Sequence, residues 1–223
     1  MDGLALHVPT EVGPANGEGR VAVSVTPAAV GVLTAWDGDQ QLKALHESAH
    51  AAVARVLGLG VTGLSITGRH AGYTSFDTGD DDRTAFVRAS VHMNQIVVLL
   101  AGAAAERLIL GEPTSGNSHD VFMATSMAVD RFSEGMDPDA PAGGLSLEVF
   151  HGAPESLREI QGASVLRTLT AARDRADVLV EEYRDQIIGL ARIIYKARRM
   201  SSGEIDSVLR ELGLEPKPTP SGS

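Results

Sequence analysis

Apolar residues recur at helical spacing through most of the chain. Leu42, Leu45, Ala49, Ala52 and Val56 stand three and four apart and predict a helix over about residues 40–57, led in by Asp37-Gly38-Asp39 and stopped by Gly58 and Gly60. A longer helical pattern follows the acidic triplet Asp80-Asp81-Asp82 and runs to Leu110, where Gly111 and Pro113 close it. Its half from 96 to 110 is apolar nearly all round, which marks the buried centre of the fold, and Glu106 is its exception. A third helix is expected from Asn117 or Ser118, either of which can cap it, to about Phe132. The last large pattern, over about 154–200, carries Val165, Leu169, Ala172, Ala176, Leu179, Tyr183, Ile187, Leu190 and Ile194, and reads as one long helix or two stacked pieces. Ser201-Ser202-Gly203-Glu204 then matches a capping box before a short helix to about Leu212. Extended patterns occupy 61–67 and 73–76, joined through Gly68 and Gly72, and predict a hairpin or small sheet.

The expected fold is therefore mainly α, with a small β-hairpin or sheet. Residues 1–39 form a partly irregular extension, with one alternating run at 21–25 that allows a strand. Residues 40–212 form one domain and 213–223 a disordered tail. The stretch 135–152, rich in Pro, Gly and Asp, reads as a long connection of the kind that borders a cleft.

Charge narrows the partners. The net charge of -10 argues against nucleic acid or an anionic membrane surface, both of which want a basic face. Cysteine is absent, which excludes disulfides and thiolate zinc ligands and suits a reducing compartment. The longest wholly apolar run, 96–105, is short of the roughly 20 residues a membrane span needs. The amino terminus lacks a basic region followed by an apolar core. The expectation is a soluble, cytoplasmic chain.

Candidate chemistry concentrates in His46-Glu47-Ser48-Ala49-His50, an HExxH motif. At i and i+4 on a helix, His46 and His50 stand on one face and can offer two imidazole nitrogens to one cation, zinc being the expected ion. Glu47, about 100° further round the helix, can reach a water beside the metal as a general base. The alternative is a partly buried helix shoulder, because both histidines lie along the edge of the apolar stripe. A third ligand would decide between them. Asp120, in the first turn of its helix, is either a carboxylate serving the helix dipole or that ligand. His119 beside it diverges in direction, so only one of the two can face a metal. A buried Glu106 needs a partner, as a ligand, as a group orienting a ligating histidine, or as half of an ion pair. His7, His70, His92 and His151 have no partner spacing. The strand at 73–76, if it lies at an edge, can pair with the backbone of an extended peptide; otherwise it only covers the core.

Taken in order, these motifs resemble the peptidase domain of the FtsH family of membrane-anchored, ATP-dependent zinc metalloproteases, over about residues 40–212. His46-Glu47-Ser48-Ala49-His50-Ala51 is similar to the family's His-Glu-Ala-Gly-His-Ala helix, and Ala71-Gly72-Tyr73-Thr74 to its Leu-Gly-Tyr-Thr stretch. Gly102-Ala103-Ala104-Ala105-Glu106-Arg107 is similar to its Gly-Arg-Ala-Ala-Glu-Glu helix. The segment from Thr114 to Asp120, with Ala124-Thr125 beyond it, is similar to its Ser-Gly-Ala-Ser-Asn-Asp and Ala-Thr sequences. The resemblance implies that Asp120 joins His46 and His50 as the third zinc ligand, that Glu106 is a carboxylate near the metal, behind the ligands or else itself a ligand, and that Gly72, Tyr73 and Thr74 form the strand aligning a substrate polypeptide.

The chain departs from the family at Ala49 (a glycine there), Ala103 (an arginine) and Arg107 (a second glutamate), so the charge around Glu106 differs. Neither a membrane span nor a G-x-x-x-x-G-K-[ST] phosphate loop is seen in the sequence, so the expectation is a free-standing peptidase domain acting without ATP on flexible or unfolded segments. A separate unfoldase or adaptor would then present folded substrates, and the resemblance also suggests a homo-oligomeric ring. The rival readings are a non-enzymatic helical adaptor or regulatory module that keeps the fold, and a hydrolase of small amides.

Overall fold

The computed structural model describes residues 38–67, 72–76, 87–138, 140 and 154–216. The expected strand at 21–25, the acidic triplet at 80–82 and most of the 135–152 connection lie outside them.

Helix α1, Asp39–Val56, carries the HExxH motif. The Gly38 N–H donates to the Gln41 side chain at 3.2 Å, and Gly58, at φ 79, lets Leu59 N–H turn back to the Ala54 carbonyl. α1 is buried on nearly every side from Lys43 to Ala54, not along one stripe, because alanines let neighbours close in all round it. His46 and His50 are accordingly interior residues instead of a half-exposed shoulder.

The second helix, α2 (Ala89–Ala105), begins well after the acidic triplet and continues as a π-helical turn, Glu106–Leu110. Together they make the helix Ala89–Leu110, which is long and apolar enough to cross a membrane by length and composition. This corrects the sequence count, which stopped at Glu106; here that apolarity serves packing, since α2 lies against α1, α3 (Ser118–Ser133) and α4 (Glu155–Glu182). The long C-terminal pattern resolves into two pieces, α4 and α5 (Arg184–Ala197), broken at Tyr183.

A three-stranded antiparallel sheet has the order β2-β1-β3, with β1 at Val61–Ser65, β2 at Tyr73–Phe76 and β3 at Arg199–Ser201. Leu64 stands opposite Thr74 on one side and Met200 on the other. β3 falls where the sequence reads as the end of a helix: Arg198, at φ 67, turns the chain out of α5 and into three residues too few to show a period. Helix α6, Ser202–Glu211, follows behind the expected capping box, in which the Ser201 N–H donates to Glu204 at 2.8 Å. Leu214, assigned by sequence to the tail, is fully buried, and the carbonyl of Leu214 accepts from Arg55.

Leu45, Ile96, Ile187, Leu190, Ile194, Ile205 and Leu209 form the interior around α1. This holds the middle of α1 against three things at once: the carboxyl end of α2, the amino end of α3 and the edge strand β2.

Candidate metal centre

Helical spacing alone brings the first two imidazoles together. The rings of His46 and His50 meet edge to face with centroids 4.6 Å apart, and their Nε2 atoms are 2.9 Å apart. The third group comes from 74 residues away, across the fold. Asp120 Oδ2 lies 3.0 Å from His46 Nε2 and 3.5 Å from His50 Nε2. The three residues offer ligand atoms that all lie within 4.8 Å of one another.

The far nitrogens decide what this cluster can hold. His50 Nδ1 is 2.7 Å from the Val98 carbonyl, which can only accept, and His46 Nδ1 is 2.9 Å from Glu106 Oε1. Both Nδ1 atoms therefore donate, so both neutral rings present lone pairs at Nε2 toward a carboxylate oxygen. Three electron-rich atoms converge on one point, and only a positive charge reconciles them: a proton, or a metal ion. Two imidazole nitrogens and a carboxylate are a zinc donor set, and each ring is aimed by an acceptor behind it.

The same arrangement sets the proton affinities. Burial opposes a charge on His46, but hydrogen bonds to Asp120 and Glu106 and the charge of Glu47 outweigh it and raise the imidazole to about 10. Burial also opposes ionisation of Asp120, yet its bonds to His46 and His50 hold it well below the usual carboxylate range. Glu106 is likewise pulled down against burial, by His46, by the Thr114 N–H at 2.6 Å and by the Asn117 side chain, also at 2.6 Å.

Glu106 sits where α2 passes into the π-helical turn and does not itself reach the three-atom cluster; it touches His46 from behind. Asn117, expected only as a helix cap, makes no cap bond with its side chain and clamps Glu106 instead. Arg107, where the resemblance breaks down, pairs with Asp177 on α4. His119 is exposed, and His92 is buried away from the cluster.

Two glycines explain how closely these parts meet. A Cβ at Gly102, in the last turn of α2, would come within 2.4 Å of the His46 ring. One at Gly72 would come within 2.6 Å of Glu47 Cγ. An isolated glycine inside an apolar helix was the available signal for Gly102, because it costs about 1 kcal/mol against alanine without some close approach to require it.

Glu47 points from α1 into a cleft of about 560 Å³, whose walls include His46, His50 and Asp120, the apolar Leu42, Phe76, Leu99 and Met123, and Gly72, Tyr73 and Thr74 of the strand region. β2 is the edge strand, bonded to β1 on one side only among the described residues. Tyr73 is 51% exposed beside the cleft.

The sequence profile described as Peptidase family M41 matches residues 34–208. Similar proteins include the ATP-dependent zinc metalloprotease FtsH 1 of Symbiobacterium thermophilum, 34% identical over 77% of this chain and 29% of that protein. FtsH 2 of Conexibacter woesei is 32% identical over 70% of this chain and 23% of its own length, and FtsH of Thermotoga maritima 27% identical over 78% and 31%. The chain thus spans less than a third of these relatives.

Proposed function

The chain belongs to peptidase family M41, and on that premise we propose that it is a zinc-dependent endopeptidase that hydrolyses flexible or unfolded polypeptide segments. The observation that carries this reading is the meeting of His46 Nε2, His50 Nε2 and Asp120 Oδ2 beside Glu47, in a cleft bordered by a strand edge that is unpaired among the described residues. His46, His50 and Asp120 are the residues proposed to hold the ion. Zinc, when bound, supplies Lewis acidity toward a water molecule and toward the peptide carbonyl.

Each of the chain's own groups then has a task. Glu47 takes a proton from the attacking water and returns it to the leaving amine. Glu106 keeps His46 in the tautomer and orientation that leave Nε2 free, and the Val98 carbonyl does the same for His50. Gly72, Tyr73 and Thr74 present backbone to an extended substrate, so recognition depends on an unfolded main chain more than on side chains. Folded substrates would need a separate unfoldase or adaptor, and nucleotide has no part in the bond-breaking step itself. Assembly into a homo-oligomer is part of the same proposal.

The test is cleavage of casein by the zinc-loaded chain with and without a chelator, beside Glu47→Gln. The expected result is activity that the chelator removes, and loss of cleavage in Glu47→Gln at unchanged zinc content. Full activity in that variant defeats the proposed base; no cleavage of casein by the wild-type chain favours an adaptor, and failure on all peptides favours a hydrolase of small amides.

A further inference from the structure

The strand that borders the cleft also grips the proposed base. Thr74 Oγ1 lies 2.7 Å from Glu47 Oε2 and 3.0 Å from the Glu47 backbone carbonyl. The hydroxyl has one proton to give, and the carboxylate is the stronger acceptor because its charge shortens and strengthens the bond. On the other flank, Gly72 offers bare backbone: a Cβ there would stand 2.7 Å from Oε1. One short segment thus holds the carboxylate from two sides. The strand register explains why Thr74 can do this. It stands opposite Leu64, which is fully buried, and its hydroxyl reaches α1, whereas the neighbouring Tyr73 is half exposed beside the cleft.

We propose that Thr74 is a positioning residue for Glu47, so that the edge strand proposed to pair with substrate also fixes the orientation of the base. This rests on the peptidase reading above. A glutamate has three side-chain torsions, and an untethered carboxylate spends much of its time out of line with the atom it must deprotonate. A hydrogen bond to a charged group is strong enough to favour one placement by about tenfold or more. A peptide paired along β2 would press on the strand that carries this tether, which couples substrate seating to the alignment of the base.

Thr74→Val removes the hydroxyl while keeping the β-branched shape, and Thr74→Ser keeps the hydroxyl and discards the methyl. The full zinc-loaded chain and both variants are compared for kcat and KM on an unstructured fluorogenic peptide, for zinc content, and by crystal structures of wild type and Thr74→Val. The expected result is a fall of about tenfold or more in kcat for Thr74→Val. KM should stay within about twofold and zinc content should be unchanged, with most of the rate recovered in Thr74→Ser and a displaced Glu47 carboxylate in the Thr74→Val crystal. A KM effect at unchanged kcat assigns Thr74 to substrate binding and overturns the proposal. So does a Thr74→Ser variant as slow as Thr74→Val, which would make the methyl group the important part. If the wild-type chain cleaves nothing, the peptidase reading fails separately. The crystal structures then decide the positioning role: an unmoved Glu47 carboxylate in Thr74→Val refutes it.

Discussion

Two glutamates flank the same histidine pair, and the chain treats them in opposite ways. Glu106, 2% exposed, accepts hydrogen bonds from His46, from the Thr114 backbone and from the Asn117 amide. These bonds occupy both oxygens and hold it ionised. Glu47, 6% exposed, has the single Thr74 hydroxyl on one carboxylate oxygen among the described residues, and its other oxygen rests against Gly72. The difference lies in how many donors each carboxylate meets. A carboxylate saturated with donors is a fixed negative charge that orients and charges its neighbour. A carboxylate with one donor keeps lone pairs for a proton in transit. Burial does not separate the two proposed roles; the number of donors does.

That contrast breaks most directly under substitution of the ligand set. Zinc content is expected to collapse in His46→Ala and Asp120→Ala, whereas Glu106→Ala should keep the ion with affinity weakened about 10- to 100-fold, as for loss of a group behind a ligand. Metal analysis of the three side by side checks this. Retained zinc in Asp120→Ala with loss in Glu106→Ala would exchange their roles.

The glycines sharpen the same contrast. Gly102→Ala drives a methyl into the His46 ring, so it should lower zinc affinity and, as an overpacked core, destabilise the fold by about 1–3 kcal/mol despite alanine's better helix propensity. Gly72→Ala pushes on Glu47 instead and should lower kcat at unchanged zinc content. Zinc titration, denaturant melts and kcat on an unstructured peptide, measured for both variants, distinguish the two effects.

The smallest effect is on the pH dependence of the metal-free chain. Glu106 and Asp120 lie below their unfolded values, so their contribution is present above the ordinary carboxylate range and lost as pH falls. His46 lies above its unfolded value of 6.5, so its contribution is complete below that pH and lost as pH rises through about 10. Thermal melts in chelator should therefore peak at about pH 5–6.5 and decline on both sides. Zinc should flatten the alkaline decline, since the ion replaces the proton between the rings.

Legibility differed with distance along the chain. α1 and its histidine pair were plain in the sequence because a helix repeats every ~3.6 residues and the motif's two histidines stand just over one turn apart. The long helices followed from period and their Gly and Pro stops, and the hairpin from two extended stretches joined through glycines. β3 was hidden because three residues carry no period; Asn117 does stand at the N-cap, but that its side chain clamps Glu106 was hidden because a cap and a clamp look identical at the start of a helix. Arg107 raised a doubt about charge beside Glu106 that sequence could not resolve; its pairing with Asp177, 70 residues on, directs that charge toward α4.

By itself the sequence determined the mainly helical fold, the paired imidazoles on one helical face and the adjoining Glu47, all consequences of local geometry. The family resemblance in the sequence already pointed Asp120 at the metal, where spacing left it open; only the tertiary structure decided that α1 is buried all round, how Asp120 reaches the two histidines, and that Glu106 and Glu47 meet such different sets of donors. The contacts that join the site to α1 run between segments 27 to 74 residues apart, from Thr74 with Glu47 to Asp120 with His46. Packing sets such contacts, and no local spacing records them.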